Sequence, residues 1–373
     1  MHLLILLIGG NNIANYALVK YFKEFSGKIP LFNRVVLVHT EQTKKDAVAF
    51  EILQPSVEFI LVNLEEHNRN LSEIKNRIVK VLNSFVSVNS IHLNYTGGTK
   101  SMSLGAYIAV EEYIKGLTVE TFYSDISFND YKLFLKRGDV YPEKGSIQDS
   151  IQVDLKEFFI LHHLQSSAFK VEHSEFYQKE WVPFLIDKIE NDQEAFFDNL
   201  WDKKDIKYLS WQESIEGMVD TNTVSNKKLL KLQKFIKGNW LEEYLFDVLN
   251  ELKEKKIDFV YWNVENTSQK DAKFEVDVVL IKGYQLYVFS CTTTTNQKHI
   301  LKSKAFEALK RAEDMGGIRA IPVFVSMATD ELLKKIAADD MRTFQGRSEI
   351  KLIGIEELRE KARLIKRLKE IIA

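Results

Sequence analysis

The chain has 373 residues, 45% apolar and 12% aromatic against 28% charged, which is enough to bury two or three cores and excludes a disordered, collagen-like or low-complexity protein. Its 51 basic and 53 acidic residues nearly cancel, so the net charge of −2 names no partner, and the single cysteine, Cys291, excludes an internal disulfide framework or a cysteine-rich zinc module. The apolar start MHLLILLIGG lacks a basic n-region and a small-residue cleavage site, and Gly9 and Gly10 break it well short of about 18 residues; a soluble, cytoplasmic protein with no membrane contact is expected.

The even balance hides three segments. Residues 1–140 carry 15 basic and 14 acidic side chains, residues 141–225 carry 8 and 17, and residues 226–373 carry 28 and 22, for nets of +1, −9 and +6. The basic last segment suits either a polyanion or an ordinary solvated surface. In the first segment strands are predicted at Leu3–Ile8, Val35–His39, Val57–Val62, Ser90–Tyr95 and Val119–Tyr123. Helices are predicted between them at Asn15–Phe25, Lys44–Ile52, Leu71–Phe85 and Ser101–Tyr113. Strand and helix in alternation give a parallel sheet covered on both faces, a doubly wound Rossmann-like domain. Such sheets bind ligands where strand order reverses, at the carboxyl ends of the strands.

Two loops qualify. Thr96-Gly97-Gly98-Thr99-Lys100 joins a strand to a helix, with glycines that admit a ligand to the backbone, free N–H groups, two hydroxyls and a cation. It is either an anion site or a tight turn in which a threonine caps the helix, and it is neither GxxxxGK[ST] nor GxGxxG. Gly9-Gly10-Asn11-Asn12, followed by Asn15, offers a second set of amides at the same edge.

The acidic middle, 141–225, reads as a helical connector with aromatic punctuation. Its pair His162-His163 is either a metal ligand set or a structural pair, and the flanking Leu161 and Leu164 with no third ligand favour the structural one. Beyond residue 225 the predicted order is helix Asn239–Leu252, strands Phe259–Val264, Phe274–Ile281 and Gln285–Ser290, helix Leu301–Asp314 and strand Ala320–Val325. Alternation puts Glu275 and Asp277 on one face of their strand, where unpaired carboxylates repel each other unless cations sit there. The last helix, Glu356–Ile372, carries an apolar stripe at Leu358, Ala362, Ile365 and Leu368 that packs on its own domain or on a second copy.

Two resemblances follow from these residues. LNYTGGTKSMSLGAY, after a strand ending in Gly-Gly with Asn15 opening the helix, resembles the CRISPR-associated Rossmann fold (CARF) sensor over about residues 1–140. That implies a homodimer binding a cyclic oligoadenylate across its two-fold axis, cA4 ahead of cA6, through Gly9, Gly10, Asn11, Asn12, Asn15, Thr96, Gly97, Gly98, Thr99 and Lys100. Asp125 would touch a base or ribose, or is simply a loop aspartate. Residues 226–373 resemble the PD-(D/E)xK nuclease core. This implies a Mg²⁺ or Mn²⁺ site on Glu242, Glu275 and Asp277, with Glu243 as the alternative helix acid.

Where that core has a carboxylate, any residue and a lysine, this chain has Ser290-Cys291-Thr292. Ser290 and Thr292 would then stand near the metal as hydroxyls and Thr292–Thr295 could bind phosphate. Lys302 is the candidate replacement lysine, on one helical face with Phe306 and Leu309, and Lys298 and Lys304 are its alternatives; a lysine whose stem merely covers apolar surface is the bland reading. As a whole the chain resembles DUF1887-type proteins. These are metal-dependent nucleases of CRISPR immunity, gated by cyclic oligoadenylate, that cleave DNA, RNA or both. The rival reading is a silenced nuclease core that only binds nucleic acid or a partner. A transcriptional regulator needs a helix-turn-helix in 150–225, against which the −9 charge counts.

Overall fold

The computed structural model describes all residues except 11, 25–31, 127–131, 138–139, 165, 200–227, 229–230, 233, 253–256, 267–273, 341–348 and 373. The chain forms two compact units. The first is Met1–Gln165 with Ile281–Gln285 and Asp314–Arg319; the second is Ser166–Leu280 with Leu286–Glu313 and Ala320–Ala373. Among the described residues no helix is long and apolar enough to cross a membrane.

In the first unit, strands β1 (His2–Leu7), β2 (Arg34–His39), β3 (Glu58–Asn63), β4 (Ser90–Asn94) and β5 (Glu120–Ile126) alternate with helices α1 (Ile13–Glu24), α2 (Lys44–Leu53), α3 (Leu71–Leu82) and α4 (Lys100–Ile114). Strands β6 (Lys132–Arg137) and β7 (Val140–Ser146) complete a seven-stranded sheet in the order β3-β2-β1-β4-β5-β6-β7. The first five strands are parallel, and β6 and β7 are antiparallel additions. Order reverses between β1 and β4, whose registers run His2↔Ser90 to Leu6↔Asn94, so the chain leaves both strands at one level. Local signals agree with the fold. Asn70 caps α3 by accepting from Glu73 N–H (3.2 Å), and Ile74, Ile78 and Leu82 bury one face of that helix under the sheet.

The expected boundary at residue 140 moves, because β7 pairs with β6 and the unit continues through α5 (Leu155–Leu161), opened by the Asp154–Glu157 capping box. His163 pairs with Asp46 of α2 (2.7 Å), and burial holds His162 down at about 4, so the two histidines are structural.

The second unit has a six-stranded sheet in the order β13-β12-β11-β10-β9-β8. Its strands are β8 (Ser166–Lys170), β9 (Phe259–Asn266), β10 (Phe274–Lys282), β11 (Gln285–Thr292), β12 (Ile321–Ser326) and β13 (Lys351–Ile353). Helix α6 (Trp181–Asn199) and helix α7 (Trp240–Glu251) share one large core with the sheet. Helix α8 (Lys298–Gly316) and helix α9 (Asp330–Asp340) contribute to a second core, built on Leu301, Ala305, Ala308, Phe324 and Leu333. The expected 141–225 connector is therefore divided. Residues 141–164 belong to the first unit, β8 is an edge strand of the second sheet, and residues 200–225 lie outside the described residues. The predicted last helix is two, α10 (Ile355–Leu358) and α11 (Lys361–Ile372). Its apolar stripe is Leu364, Leu368 and Ile371, all in the unit's own core, while Ala362 is exposed. That contact answers the choice between own domain and second copy.

Candidate functional site

At the β1/β4 switch point the two glycine loops touch. A Cβ on Gly9 would stand 3.0 Å from Gly98 N, and one on Gly97 would stand 2.1 Å from Leu7 O and 2.6 Å from Asn15 Nδ2. Gly98 has φ +71°, the left-handed region that suits glycine. Asn15, 1% exposed, donates Nδ2–H to Leu7 O (2.8 Å), which fixes the start of α1 against the end of β1. The buried Oδ1 atoms of Asn12 and Asn15 have no partner among the described residues, an expensive arrangement unless a ligand donor arrives. Gly10 is exposed with open space at its Cβ position, and Asn11 lies outside the described residues.

The threonines are committed inside the loop. Thr96 Oγ1 accepts from Ile126 N–H (2.9 Å); Thr99 caps α4 by accepting from Met102 N–H (3.2 Å) and donates to Asn68 O (3.3 Å). The capping alternative thus holds for Thr99, and the outward chemistry falls to the glycine amides and to exposed Lys100 at the first position of α4. Asp125 lies on β5, and its charge adds to burial in raising the Tyr95 phenol. Tyr95, 41% exposed, directly precedes the loop.

In the second unit the acids converge from α7 and β10. Burial raises Glu242 well above the usual carboxylate range, and Asp277, Glu275 and Glu243 push it further, with Lys170 opposing. Burial likewise pushes Asp277 up to about 6, against the pull of the Cys291 N–H, which donates to its Oδ2 (2.6 Å), and of Lys304; Glu275 and Glu307 raise it. The Cys291 thiol is raised by burial and then by Asp277 and Glu242, which places these three together. Glu243 turns the other way. It accepts from Ser174 N–H (2.7 Å) and faces His173 Nδ1 (3.6 Å), so the helix acid that shares Asp277's field is Glu242.

The face expected to pack on the sheet is corrected. The buried face of α8 is Leu301, Ala305, Ala308 and Ala312, not the face of Lys302, Phe306 and Leu309. Lys302 Nζ lies 6.0 Å from its neighbour Phe306's ring centroid, whereas Lys304 acts on Asp277 and pairs with Glu307 (3.0 Å). Small alanines, rather than Phe306 and Leu309, are the fully buried residues of this helix beside Leu301.

Ser290 stands on β11 level with Phe324 of β12. Thr292 Oγ1 donates to Thr294 Oγ1 (3.0 Å), and Thr293 Oγ1 donates to Lys237 O (2.7 Å), so these two hydroxyls stitch the loop. Among the described residues no three His, Cys, Asp or Glu side chains form a group able to hold a metal ion. Lys170, Asn263 and Glu307 are the site neighbours that sequence order alone did not reach.

Two family descriptions match the chain: Card1 CARF domain over residues 3–157, and Card1-like, endonuclease domain over residues 231–371. Among solved structures it is similar to Can2 from Sulfobacillus thermosulfidooxidans in complex with cyclic tetra-adenylate (17% identity, all of both chains covered, TM-score 0.67). It is also similar to protein VC1899 from Vibrio cholerae (13%, 99% of this chain and 98% of that one, TM-score 0.68). A third is a type III CRISPR defence DNA nuclease activated by cyclic oligoadenylate (15%, 91% of this chain and 52% of that one, TM-score 0.50). At these identities the likeness establishes the fold. No curated protein matches significantly.

Proposed function

The chain belongs to the Card1-like proteins that join a CARF domain to an endonuclease domain, and from that premise we propose a cytoplasmic effector of type III CRISPR immunity. Binding of a cyclic oligoadenylate, cA4 before cA6, at the β1/β4 loops switches on metal-dependent cleavage of DNA, RNA or both. The observation that carries this reading is the convergence of Glu242, Glu275 and Asp277, in which burial first, and then the charges of Asp277 and Glu275, raise Glu242 well above an ordinary carboxylate.

A divalent cation that keeps several waters would be held by Glu242 and Asp277, with Glu275 beside them, and would offset their charge. Bound there, Mg²⁺ or Mn²⁺ would supply a water of lowered pKa and charge neutralisation at the phosphate. The chain's own residues do the rest. The Cys291 N–H fixes one Asp277 oxygen and leaves the other for the cation, while Lys304 brings positive charge toward Asp277 in place of the lysine absent from β11. Ligand binding works by shifting an equilibrium between inactive and active states in proportion to its differential affinity. Plasmid, single-stranded DNA and single-stranded RNA incubated with Mn²⁺ or Mg²⁺, with and without cA4, test the reading; cleavage that needs both ligand and metal is expected.

One second reading has a specific motive. No three-carboxylate metal group forms among the described residues, and Thr292 is committed to its loop, as in a silenced core that only binds. Tight cA4 binding with no cleavage under any metal would select it.

The acids also predict a pH effect. Asp277 titrates near 6 in the folded chain against an ordinary 3.8, so the folded state holds a proton that the unfolded state releases. Stability of the metal-free protein therefore falls as pH rises from about 4 through about 6. In thermal unfolding, Asp277→Asn is expected to raise Tm at pH 7.5 and to leave it unchanged at pH 4. Added Mn²⁺ should raise Tm above pH 6 in the unmodified chain only.

The dimer rests on α4. Leu104, Tyr107 and Ile108, three apolar residues on one helical face beside the glycine loop, are 49%, 45% and 36% exposed. A second copy across a two-fold axis covers this face and doubles the ligand loops around one symmetric ring. Tyr107→Glu with Leu104→Glu is expected to convert a dimer to a monomer in sedimentation and to weaken cA4 binding at least tenfold.

A further inference from the structure

Helix α1 begins in the ligand loop. Asn12 O accepts from Tyr16 N–H (2.9 Å) in its first turn, Asn15 is bonded to Leu7 O, and Tyr16 and Lys20 follow on the helix. Both of these side chains end on Glu157 of α5. Tyr16, fully buried, donates its hydroxyl to Glu157 Oε1, and Lys20 Nζ reaches both Glu157 oxygens (2.9 and 3.0 Å) and Gln152 O. Glu157 Oε2 also accepts from Asp154 N–H (2.7 Å), the return bond of the capping box. The Lys20 and Glu157 side chains are only 16% and 17% exposed, so these charge-assisted bonds are stronger than those of a surface ion pair. Burial, and then the Glu157 carboxylate, raise the Tyr16 phenol, which keeps its proton and stays the donor.

The segment that ends in this knot grips a turn. The first unit takes in Ile281–Gln285, the turn between β10 and β11. Val153 N–H donates to Gly283 O (2.9 Å), and Gln148 Nε2 donates to Lys282 O (3.4 Å). Gly283 has φ +61°, and a Cβ there would stand 2.3 Å from Gln148 O, so the backbone of Gln148 lies directly on the turn. On its other side Gln285 Nε2 donates to Arg319 O (2.7 Å). From this turn β10 and β11 run, as paired neighbours, to Asp277 and to Cys291, whose N–H fixes the Asp277 carboxylate. Close-packed interiors transmit a displacement rather than absorb it.

We propose that Glu157 is a positioning residue for cleavage: it ties the ligand-bearing helix α1 to the 148–157 segment, and that segment sets the β10–β11 turn and, through it, the Asp277–Cys291 bond. The inference rests on the reading above, in which cA4 acts at the β1/β4 loops and Asp277 serves cleavage, and it names the joint between them. A ligand shifts an equilibrium only through an element that differs between the two states and that both sites bias. Helix α1 carries Asn12 and Asn15 at one end and the donors to Glu157 within the next turns. A ligand that favours one placement of α1 therefore favours one placement of the segment bonded to it.

The test uses the full chain and its Glu157→Gln, Tyr16→Phe and Gly283→Ala variants. Glutamine still serves the capping box while removing the charge. Phenylalanine removes one donor and keeps the ring against Phe50 (5.9 Å), so it carries the test should Glu157→Gln fail to fold. Isothermal titration gives cA4 affinity, and initial rates with and without cA4 give the activation ratio. Hydrogen exchange of the peptide carrying Cys291, read by mass spectrometry, reports the Asp277 bond without any cleavage. In the unmodified chain cA4 is expected to slow that exchange. Glu157→Gln should bind cA4 within tenfold of the unmodified chain, lose at least tenfold in activation ratio through kcat with KM unchanged, and show no response of the Cys291 peptide. Tyr16→Phe should lose at least threefold in the same ratio. Gly283→Ala should match Glu157→Gln, and the double variant should lose no more than the worse single, because both break one joint.

A role confined to holding α5 lowers Tm and leaves the Cys291 response intact; that outcome overturns the proposal. So do losses that add in the double variant, or a Cys291 peptide indifferent to bound cA4 in the unmodified chain. Ligand-dependent cleavage unchanged in Glu157→Gln removes the joint and leaves the nuclease. A Cys291 response that Glu157→Gln abolishes, in a chain that cleaves nothing under any metal, keeps the joint and removes the nuclease.

Discussion

Asp277→Ala is expected to lower ligand-activated cleavage at least about 10²–10³-fold, the scale of losing one preorganised group that stabilises transition-state charge, while cA4 affinity stays within threefold. Asp277 is the acid on which the other elements converge. The Cys291 N–H fixes its carboxylate, Glu242 of α7 shares its field, and Lys304 and Glu307 of α8 bear on it from the helix. Initial rates on plasmid and single-stranded substrates, at fixed Mn²⁺ and saturating cA4, measure the loss. Two lysine variants sharpen the result. Lys304→Ala should cost about 10–100-fold because its charge opposes the rise of Asp277, and Lys302→Ala should stay within threefold because its amine lies along its own helix beside Phe306. Equal losses in both would return the lysine role to the face bearing Phe306; no loss in Asp277→Ala would move the chemistry away from these acids altogether.

Much of this fold was legible in the residues, for identifiable reasons. Parallel strands buried on both faces read as unbroken apolar runs, so LLILL and VVLV announced β1 and β2 to within one residue at each end. Their loops followed from the rule that ligand sites sit where strand order reverses. Strand alternation placed Glu275 and Asp277 on one face, and their burial pattern of exposed and intermediate between buried Val276 and Val278 matches it. The antiparallel additions β7 and β8 were not legible. They are short, polar and set in an acidic stretch whose composition favoured helix, and only pairing with β6 and β9 makes them strands. Long-range neighbours were beyond reach for the same reason. Nothing local links Lys170 to Glu275; a register slip at Asn263 does. Lys304 ranks only as an alternative to Lys302 when Phe306 and Leu309 define the packing face, whereas Leu301 and three alanines are the residues buried there.

Gly97→Ala is expected to lower cA4 affinity at least a hundredfold and to uncouple cleavage from ligand. The added Cβ would lie 2.1 Å from Leu7 O, far below any tolerated contact, and a backbone carbonyl in the middle of a parallel sheet cannot swing aside. The loop must move instead, at a cost of about 1–3 kcal/mol for an overpacked site. That movement breaks the Asn15–Leu7 bond at 2.8 Å and withdraws the Gly97–Gly98 amides from the ligand. Asn15→Ala removes only the softer of the two clashes, the one at 2.6 Å with Nδ2, so the double variant Gly97→Ala/Asn15→Ala should recover none of the affinity. Recovery would show that the side chain, not the carbonyl, sets the limit. Isothermal titration with cA4, paired with cleavage rates with and without ligand, reads both effects. Gly97→Ala should keep whatever ligand-independent cleavage the chain has and lose the response, while Asp277→Ala should bind ligand and cleave nothing. These complementary losses, each confined to one unit of the chain, would demonstrate a sensor and an effector that are chemically separate and thermodynamically linked.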